Sequence, residues 1–320
     1  MFRVDETHHV VDIRSPAEFA AGHIPGATSI PLALLPEALC ALPPRDTPEP
    51  PCVTVYGGDA DAVEAARRHV AAAKYTVLTY AYGYVVPPAL CSTAPSRRLW
   101  APNETLAAHV ATIEARLAAA GMPRTALDVA CGSGRDAVYL ALRGWAHVRA
   151  IDTNTRLLAC ARVLARLESA PPGVLEWAPD DATDYYGHHH GEGSDSSSSG
   201  DDHDTRTYAL VHVARYLDRR MFVPRDARGA AWPERDRAVL ALPDAVAPGG
   251  FVVFHTFTEP STKPRKAKHV LRRGELAQVF GDTLGWHVLV HEELTLGDGR
   301  IVQTICAQKP RGETVEEKEM

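Results

Sequence analysis

The chain has 320 residues, 45% of them hydrophobic and 23% charged, with a formal net charge of −6. Such a length corresponds to about two domains, each able to bury a core, and the charge balance argues against a general nucleic-acid binder, leaving only a local basic patch open. No run of about 18 apolar residues offers a membrane span, the polar stretch Met1 to Val10 does not read as a signal peptide, and the six cysteines have no CxxC spacing. Free thiols and a cytoplasmic location are therefore expected.

Val10 to Phe19 reads as a short strand, a Ser-Pro turn and the start of a helix, and Gly22-His23-Ile24-Pro25-Gly26-Ala27 forces a tight loop before Ser29-Ile30-Pro31. The series Asp12, Arg14, Glu18-Phe19, Gly22 to Ala27 and Ile30-Pro31 resembles the rhodanese domain over residues 1–90. The resemblance implies a small α/β domain in which the next strand, Cys52 to Tyr56, leads into the catalytic position. That position falls on Gly57, and Asp59 and Asp61 place negative charge where a persulfide-binding loop would need donors. The domain is thus expected to be non-catalytic, with Cys52 a core thiol, Asp12, Arg14, Glu18 and His23 scaffold residues, and the Asp/Arg/Glu set a local ion-pair network that fixes the loop.

Residues 91–103 read as a polar, proline-bearing linker. Asn103 is a candidate N-cap for a helix over Glu104 to Ala120, with Leu106, Val110, Ile113 and Leu117 along one face. Ala126 to Val129 then reads as a strand, Cys131-Gly132-Ser133-Gly134 as a glycine turn and Ala137 to Leu142 as a helix. A second strand follows and closes at Ile151-Asp152. The spacing Asp128-x-x-x-Gly132-x-Gly134, with Asp152 beyond the second strand, resembles the cofactor motif of class I S-adenosylmethionine (SAM)-dependent methyltransferases. The resemblance implies that the glycine turn, with Cys131 and Arg135, passes under the methionine part of SAM, that Asp128 serves the cofactor's amino group, and that Asp152 takes the ribose.

Thr155 to Glu168 reads as an amphipathic helix stopped by Pro171-Pro172-Gly173, and Val174 to Trp177 as a third strand. The resemblance places the adenine amino group at Asp181-Ala182, with Asp181 fitting better than Asp180. Residues 187–204 form a low-complexity insert, expected to be disordered, whose His188, His189, His190 and His203 do not make a dedicated metal site. Tyr208 to Val213 is a fourth strand, and its carboxyl end carries Arg215 and Tyr216, the candidate acceptor residues. Two structural alternatives stay open: Arg215 as a strand cap and Tyr216 as core.

Arg225 to Arg237 reads as a surface loop, Ala238 to Val246 as a helix, Ala247-Pro248-Gly249-Gly250 as a turn and Phe251 to Thr256 as a strand. The segments Thr256 to Glu259, Lys263-Pro264-Arg265, Leu271 to Leu276 and Phe280 resemble the methyltransferases grouped with the tellurite-resistance enzymes. Trp286 to Glu293 and Arg300 to Gln308 read as two last strands around Asp298-Gly299, and residues 311–320 as an acidic tail. The expected domain, over residues 104–310, is Rossmann-like, with a seven-stranded mostly parallel sheet and an antiparallel C-terminal strand.

These resemblances imply a SAM-dependent methyltransferase acting on a small acceptor, anionic or soft. Arg135, Arg215, Lys263 and Arg265 give the cleft positive charge, and His255 and Glu275 are candidates to orient or deprotonate the acceptor, with structural roles as the alternative. No Asn-Pro-Pro-Tyr signature of nucleic-acid amino methyltransferases is present. Two other readings stay open: an RNA or protein methyltransferase that docks through the rhodanese-like domain, and a SAM-binding interaction protein without turnover.

Overall fold

The structure, a computed structural model, describes residues 8–43, 51–79, 91–185, 207–228, 232–261, 264, 266–296 and 299–311. The expectations for the insert with His188, His189, His190 and His203, for Lys263, Arg265 and Asp298, and for residues 312–320 lie outside the described residues. The chain divides into two compact units: residues 1–101 with 133–135 and 159–170, and the remainder.

In the first unit, strands β1 (His8–Asp12), β2 (Thr28–Ser29), β3 (Cys52–Tyr56) and β4 (Thr76–Thr79) form a parallel sheet in the order β2-β1-β3-β4. Helix α1 (Pro16–Ala21) starts at a capping box: Ser15 Oγ accepts from the Glu18 amide while the Glu18 carboxylate accepts from the Ser15 amide. Glu18 is therefore a capping group and not a member of the expected ion-pair network. That network reduces to Asp12 and Arg14, whose guanidinium donates to the Asp12 carboxylate at 2.6 Å and to the Gly22 carbonyl at 2.8 Å. His23 stacks on the Phe19 ring at 3.7 Å, a scaffold contact. Val10, Phe19, Ile24, Ala27 and Tyr56 form a core cluster here.

The segment expected as a linker is bound to this unit. The Arg97 amide donates to Ala27, Thr28 Oγ1 donates to the Arg97 carbonyl, and Ser92 pairs with His23. The cause is the open edge of β2, whose unpaired backbone groups need partners.

The second unit is organised on a seven-stranded sheet. Its strands are β5 (Thr125–Val129), β6 (His147–Ile151), β7 (Leu175–Ala178), β8 (Tyr208–Ala214), β9 (Val246–Phe257), β10 (His287–Thr295) and β11 (Ile301–Gln308), in the order β10-β11-β9-β8-β5-β6-β7. β11 runs antiparallel to both its neighbours, while β5 to β9 pair in parallel. The expected architecture holds.

Helix α2 (Ala60–Ala72) belongs to the first sheet, α3 (Glu104–Ala119) and α4 (Arg135–Leu142) accompany the second, and most of α5 (Thr155–Leu167) falls within the first unit. Asn103 caps α3 by accepting from the Thr105 and Leu106 amides. Leu106, Val110, Ile113 and Leu117 pack on Ala126, Leu210, Phe251, Val253 and Cys306 of the sheet. Alternate residues Leu127, Val129, Val211, Val213, Val252 and Phe254 serve the opposite core with Phe280 and Trp286. Both faces are covered, as a parallel sheet requires.

Two boundaries differ from the sequence reading. Helix α6 (Glu234–Arg237) lies in the stretch read as loop, and the helix expected over Ala238 to Val246 is only α7 (Leu242–Ala245). Pro243 explains the second difference: it lacks an N–H, and its ring blocks a preceding turn, so the helix starts beside it. The Pro-Gly-Gly segment is part of β9, because Gly249 and Gly250 exchange backbone bonds with Lys309.

Candidate cofactor and acceptor site

β5 lies between β6 and β8, so chain order changes direction at its carboxyl end, the place where open α/β sheets bind ligands. There Ala130, Gly132 and Gly134 take φ values of +55°, +55° and +73°. A side chain added at Gly132 would meet nothing within 4 Å, so the space over the turn is open. The Gly132 amide donates to Asp152 Oδ2 at 2.8 Å, and the Asn154 amide donates to Asp152 Oδ1 at 2.7 Å. Each carboxylate oxygen retains a lone pair for a further donor. Burial first, then Asp128 and Asp152, push the Cys131 thiol well above the ordinary range.

Asp128 differs from Asp152 in being almost fully buried, at 2% exposure. Its Oδ1 lies 3.0 Å from His212 Nδ1, on the paired strand, and Asp136 Oδ2 is 3.9 Å from the same nitrogen. Asp136 also accepts from the Asn103 amide at 2.6 Å, which ties the first turn of α4 to the start of α3. Burial pulls the His212 pKa down, but Asp136 and Asp128 outweigh it and raise it above 6.5.

Among the described residues, five buried polar atoms in the carboxyl halves of β5, β8 and β9 have no hydrogen-bond partner: Asp128 Oδ2, His212 Nε2, both ring nitrogens of His255, and Thr256 Oγ1. His255 is held neutral, its pKa lowered to about 4 by burial and then by Arg215 and His212. It stands opposite Ala214 on one side and Thr304 on the other, and Thr304 is hydrogen-bonded to Thr105 of α3 at 2.6 Å. Buried polar groups are normally paired, which sets this row apart from the apolar residues around it.

Arg215 is exposed and has φ +58°, and its amide donates to the His255 carbonyl at 2.6 Å. A non-glycine residue in that region marks a constrained position. Tyr216 is half-buried against the core, and burial first, then Asp218 and Asp181, push its pKa up to about 12. Asp181 Oδ1 accepts from the Thr183 amide, and Ala182 is buried with its carbonyl bonded to the Leu240 amide. Asp180 is engaged by Arg149 at 2.5 Å.

Two expected site residues serve elsewhere. Arg135, within the first unit, donates to the Cys40 carbonyl at 2.7 Å and to the Leu42 carbonyl at 3.1 Å. Glu275 is buried and paired with Arg219 and the Arg272 amide, a structural role. The sequence reading missed His212 and Asp136. The signal was present: Asp128 and His212 are single polar residues inside apolar strands that the topology pairs.

The space around Gly57, the expected rhodanese-type position, is filled. Gly57 has φ +97°, and a Cβ there would stand 2.6 Å from Arg14 Cγ and 3.0 Å from Asp12 Oδ1. Asp59 caps α2 by accepting from the Ala62 amide.

Residues 3–86 match the family model of the rhodanese-like domain, and residues 103–170 match that of tellurite resistance protein TehB. No curated protein sequence matches the chain. Among solved structures, TehB from Haemophilus influenzae is 18% identical, with 62% of each chain covered and a TM-score of 0.38. N-methyltransferase NodS from Bradyrhizobium japonicum WM9 is 16% identical, covering 65% of this chain and 98% of that one, with a TM-score of 0.41. Magnesium protoporphyrin IX methyltransferase from Synechocystis PCC 6803, solved with bound SAM, is 14% identical, covering 63% and 78%, with a TM-score of 0.39. Among the described residues, no helix is long and apolar enough to cross a membrane.

Proposed function

We propose that this chain, which joins a rhodanese-like domain to a SAM-dependent methyltransferase domain of the TehB type, transfers a methyl group to a small acceptor, anionic or soft. The observation that carries this reading is the row of unpartnered buried polar atoms beside an open glycine turn. In this reading Asp152 accepts from the ribose hydroxyls, Asp181 from the adenine amino group, and Asp128 Oδ2 from the cofactor's ammonium. SAM supplies the electrophile, a methyl group on a sulfonium. The chain's own residues exclude water and hold the acceptor in line, which is worth about 7–11 kcal/mol in favourable cases.

His255 decides what kind of acceptor fits. With its pKa near 4, it is a weak base and acts by hydrogen bonding, so the acceptor arrives already deprotonated. Arg215, exposed at the end of β8, supplies the positive charge that draws an anion. Transfer from labelled SAM to a panel of oxyanions and thiolates tests this reading. Arg215→Ala is expected to lower kcat/KM for the preferred acceptor about 10–100-fold, as loss of one charge-assisted bond of about 1.5–3 kcal/mol would. Unchanged transfer by that variant would remove Arg215 from the site.

The first domain, in the same reading, has no sulfurtransferase activity. Gly57→Cys is expected to leave cyanide-dependent thiocyanate production from thiosulfate at the buffer background, because Arg14 and Asp12 fill the space and the backbone is left-handed there. Turnover by the wild type or by this variant would contradict it.

A further inference from the structure

His212 stands inside β8 with no exposed surface, and its neighbours Leu210, Val211 and Val213 are apolar and fully buried. The register of the sheet sets it opposite Asp128 on β5 and Val253 on β9. An aliphatic residue would pack there without the cost of burying an imidazole. Asp128 Oδ1 lies 3.0 Å from His212 Nδ1. An ionised carboxylate only accepts, so Nδ1 carries the hydrogen and donates. We infer that His212 is a positioning residue for the cofactor: by donating to Oδ1 it fixes the Asp128 carboxylate with Oδ2 left for the cofactor's ammonium. The inference rests on the reading of this cleft as a SAM site.

The geometry gives the two carboxylate oxygens different tasks. Oδ1 is taken by the imidazole, while Oδ2 is buried and has no hydrogen-bond partner among the described residues. The terminal torsion of an aspartate is broad and two-fold, so without the imidazole the two oxygens are free to exchange places. A second carboxylate adds to the hold on the ring. Asp136 Oδ2, in the first turn of α4, is 3.9 Å from the same nitrogen, and Asp136 Oδ1 accepts from the Asn103 amide at 2.6 Å. Residues of β5, β8, α4 and the cap of α3 therefore meet at this imidazole. The hydrogen on Nδ1 is present in the imidazolium and in the neutral tautomer that faces a carboxylate, so the bond does not depend on the ring's charge. His255 differs, since both its ring nitrogens are unpaired.

Titration of the full chain with two ligands separates positioning from packing. The ligands are S-adenosylhomocysteine and its desamino analogue, which keeps the adenine, ribose, sulfur and carboxylate but lacks the ammonium. Asparagine places an N–H donor near the position of histidine Nδ1, and glutamine places one near Nε2. His212→Gln is expected to bind S-adenosylhomocysteine about 10-fold more weakly, equivalent to about 1.4 kcal/mol, with its affinity for the desamino analogue unchanged. His212→Asn is expected to keep wild-type affinity for both. Equal loss for both ligands in His212→Gln, no loss for either, or selective loss in His212→Asn as well would overturn the inference and leave the SAM site standing. Absence of wild-type binding to S-adenosylhomocysteine would overturn the reading on which it rests. Where circular dichroism shows His212→Gln to be unfolded, nuclear magnetic resonance of the wild type with isotope-labelled histidine decides. A solvent-protected Nδ1–H that shifts with S-adenosylhomocysteine and not with the analogue is expected, and absence of such a resonance would overturn the inference.

Discussion

Gly132→Val is expected to weaken binding of S-adenosylhomocysteine about 100-fold, equivalent to about 2.7 kcal/mol, while the domain remains folded. Two effects combine at this residue. Its φ of +55° is a region that a β-branched residue enters only at a cost of about 1–3 kcal/mol. The valine side chain would also project into the open space over the turn, where the cofactor's methionine part lies in the proposed reading. Gly132→Ala separates the two, since a single Cβ meets nothing within 4 Å, and its loss of affinity should be smaller. Titration calorimetry on the three proteins checks the order, and wild-type affinity in Gly132→Val would contradict it.

Arg228→Met is expected to destabilise the protein by about 3–5 kcal/mol, a loss on the scale of removing one partner of a buried charged group. Arg228 is 1% exposed. Its guanidinium donates to the carbonyl of Arg220 at 2.6 Å, to that of Val223 at 2.9 Å and also to that of Val239. It gathers the segment between β8 and β9, the one that carries the Arg219–Phe222 turn next to the candidate acceptor residues. Methionine fills part of the volume but removes the guanidinium donors from the Val223 and Val239 carbonyls, at about 1–3 kcal/mol each, and leaves the Arg220 carbonyl with the Val223 amide. Urea denaturation followed by tryptophan fluorescence measures the difference, and a change under about 1 kcal/mol would show that the segment is held by other contacts.

Much of the fold was legible because its signals are local. The Ser15-Pro16 turn, the Asn103 cap, the glycine turn and Asp152 are each specified by residues within a few positions of one another, and the structure places all of them as elements or caps. The helix before β9 was overread because Pro243 was not weighed as a helix start. The segment 91–103 reads as a linker because composition does not reveal that the edge of β2 needs a partner.

The site was legible only in part, for a different reason. Asp128 and His212 meet across 84 residues, and that pairing follows from strand order, which motifs do not encode. Arg135 resembled a cofactor residue by position, yet its guanidinium is engaged by the carbonyls of Cys40 and Leu42. Glu275 looked equally suited to catalysis or structure, and its burial beside Arg219 decided for structure. In each case long-range packing determined what a side chain with several uses does.

The most direct test of the central claim is calorimetric titration of the full chain with S-adenosylhomocysteine, beside the Asp152→Ala variant. The account predicts one site per chain for the wild type and an affinity about 10–100-fold lower for the variant, since each lost charge-assisted hydrogen bond is worth about 1.5–3 kcal/mol. Absence of binding by the folded wild type, or equal binding by Asp152→Ala, would contradict the assignment of this cleft to SAM.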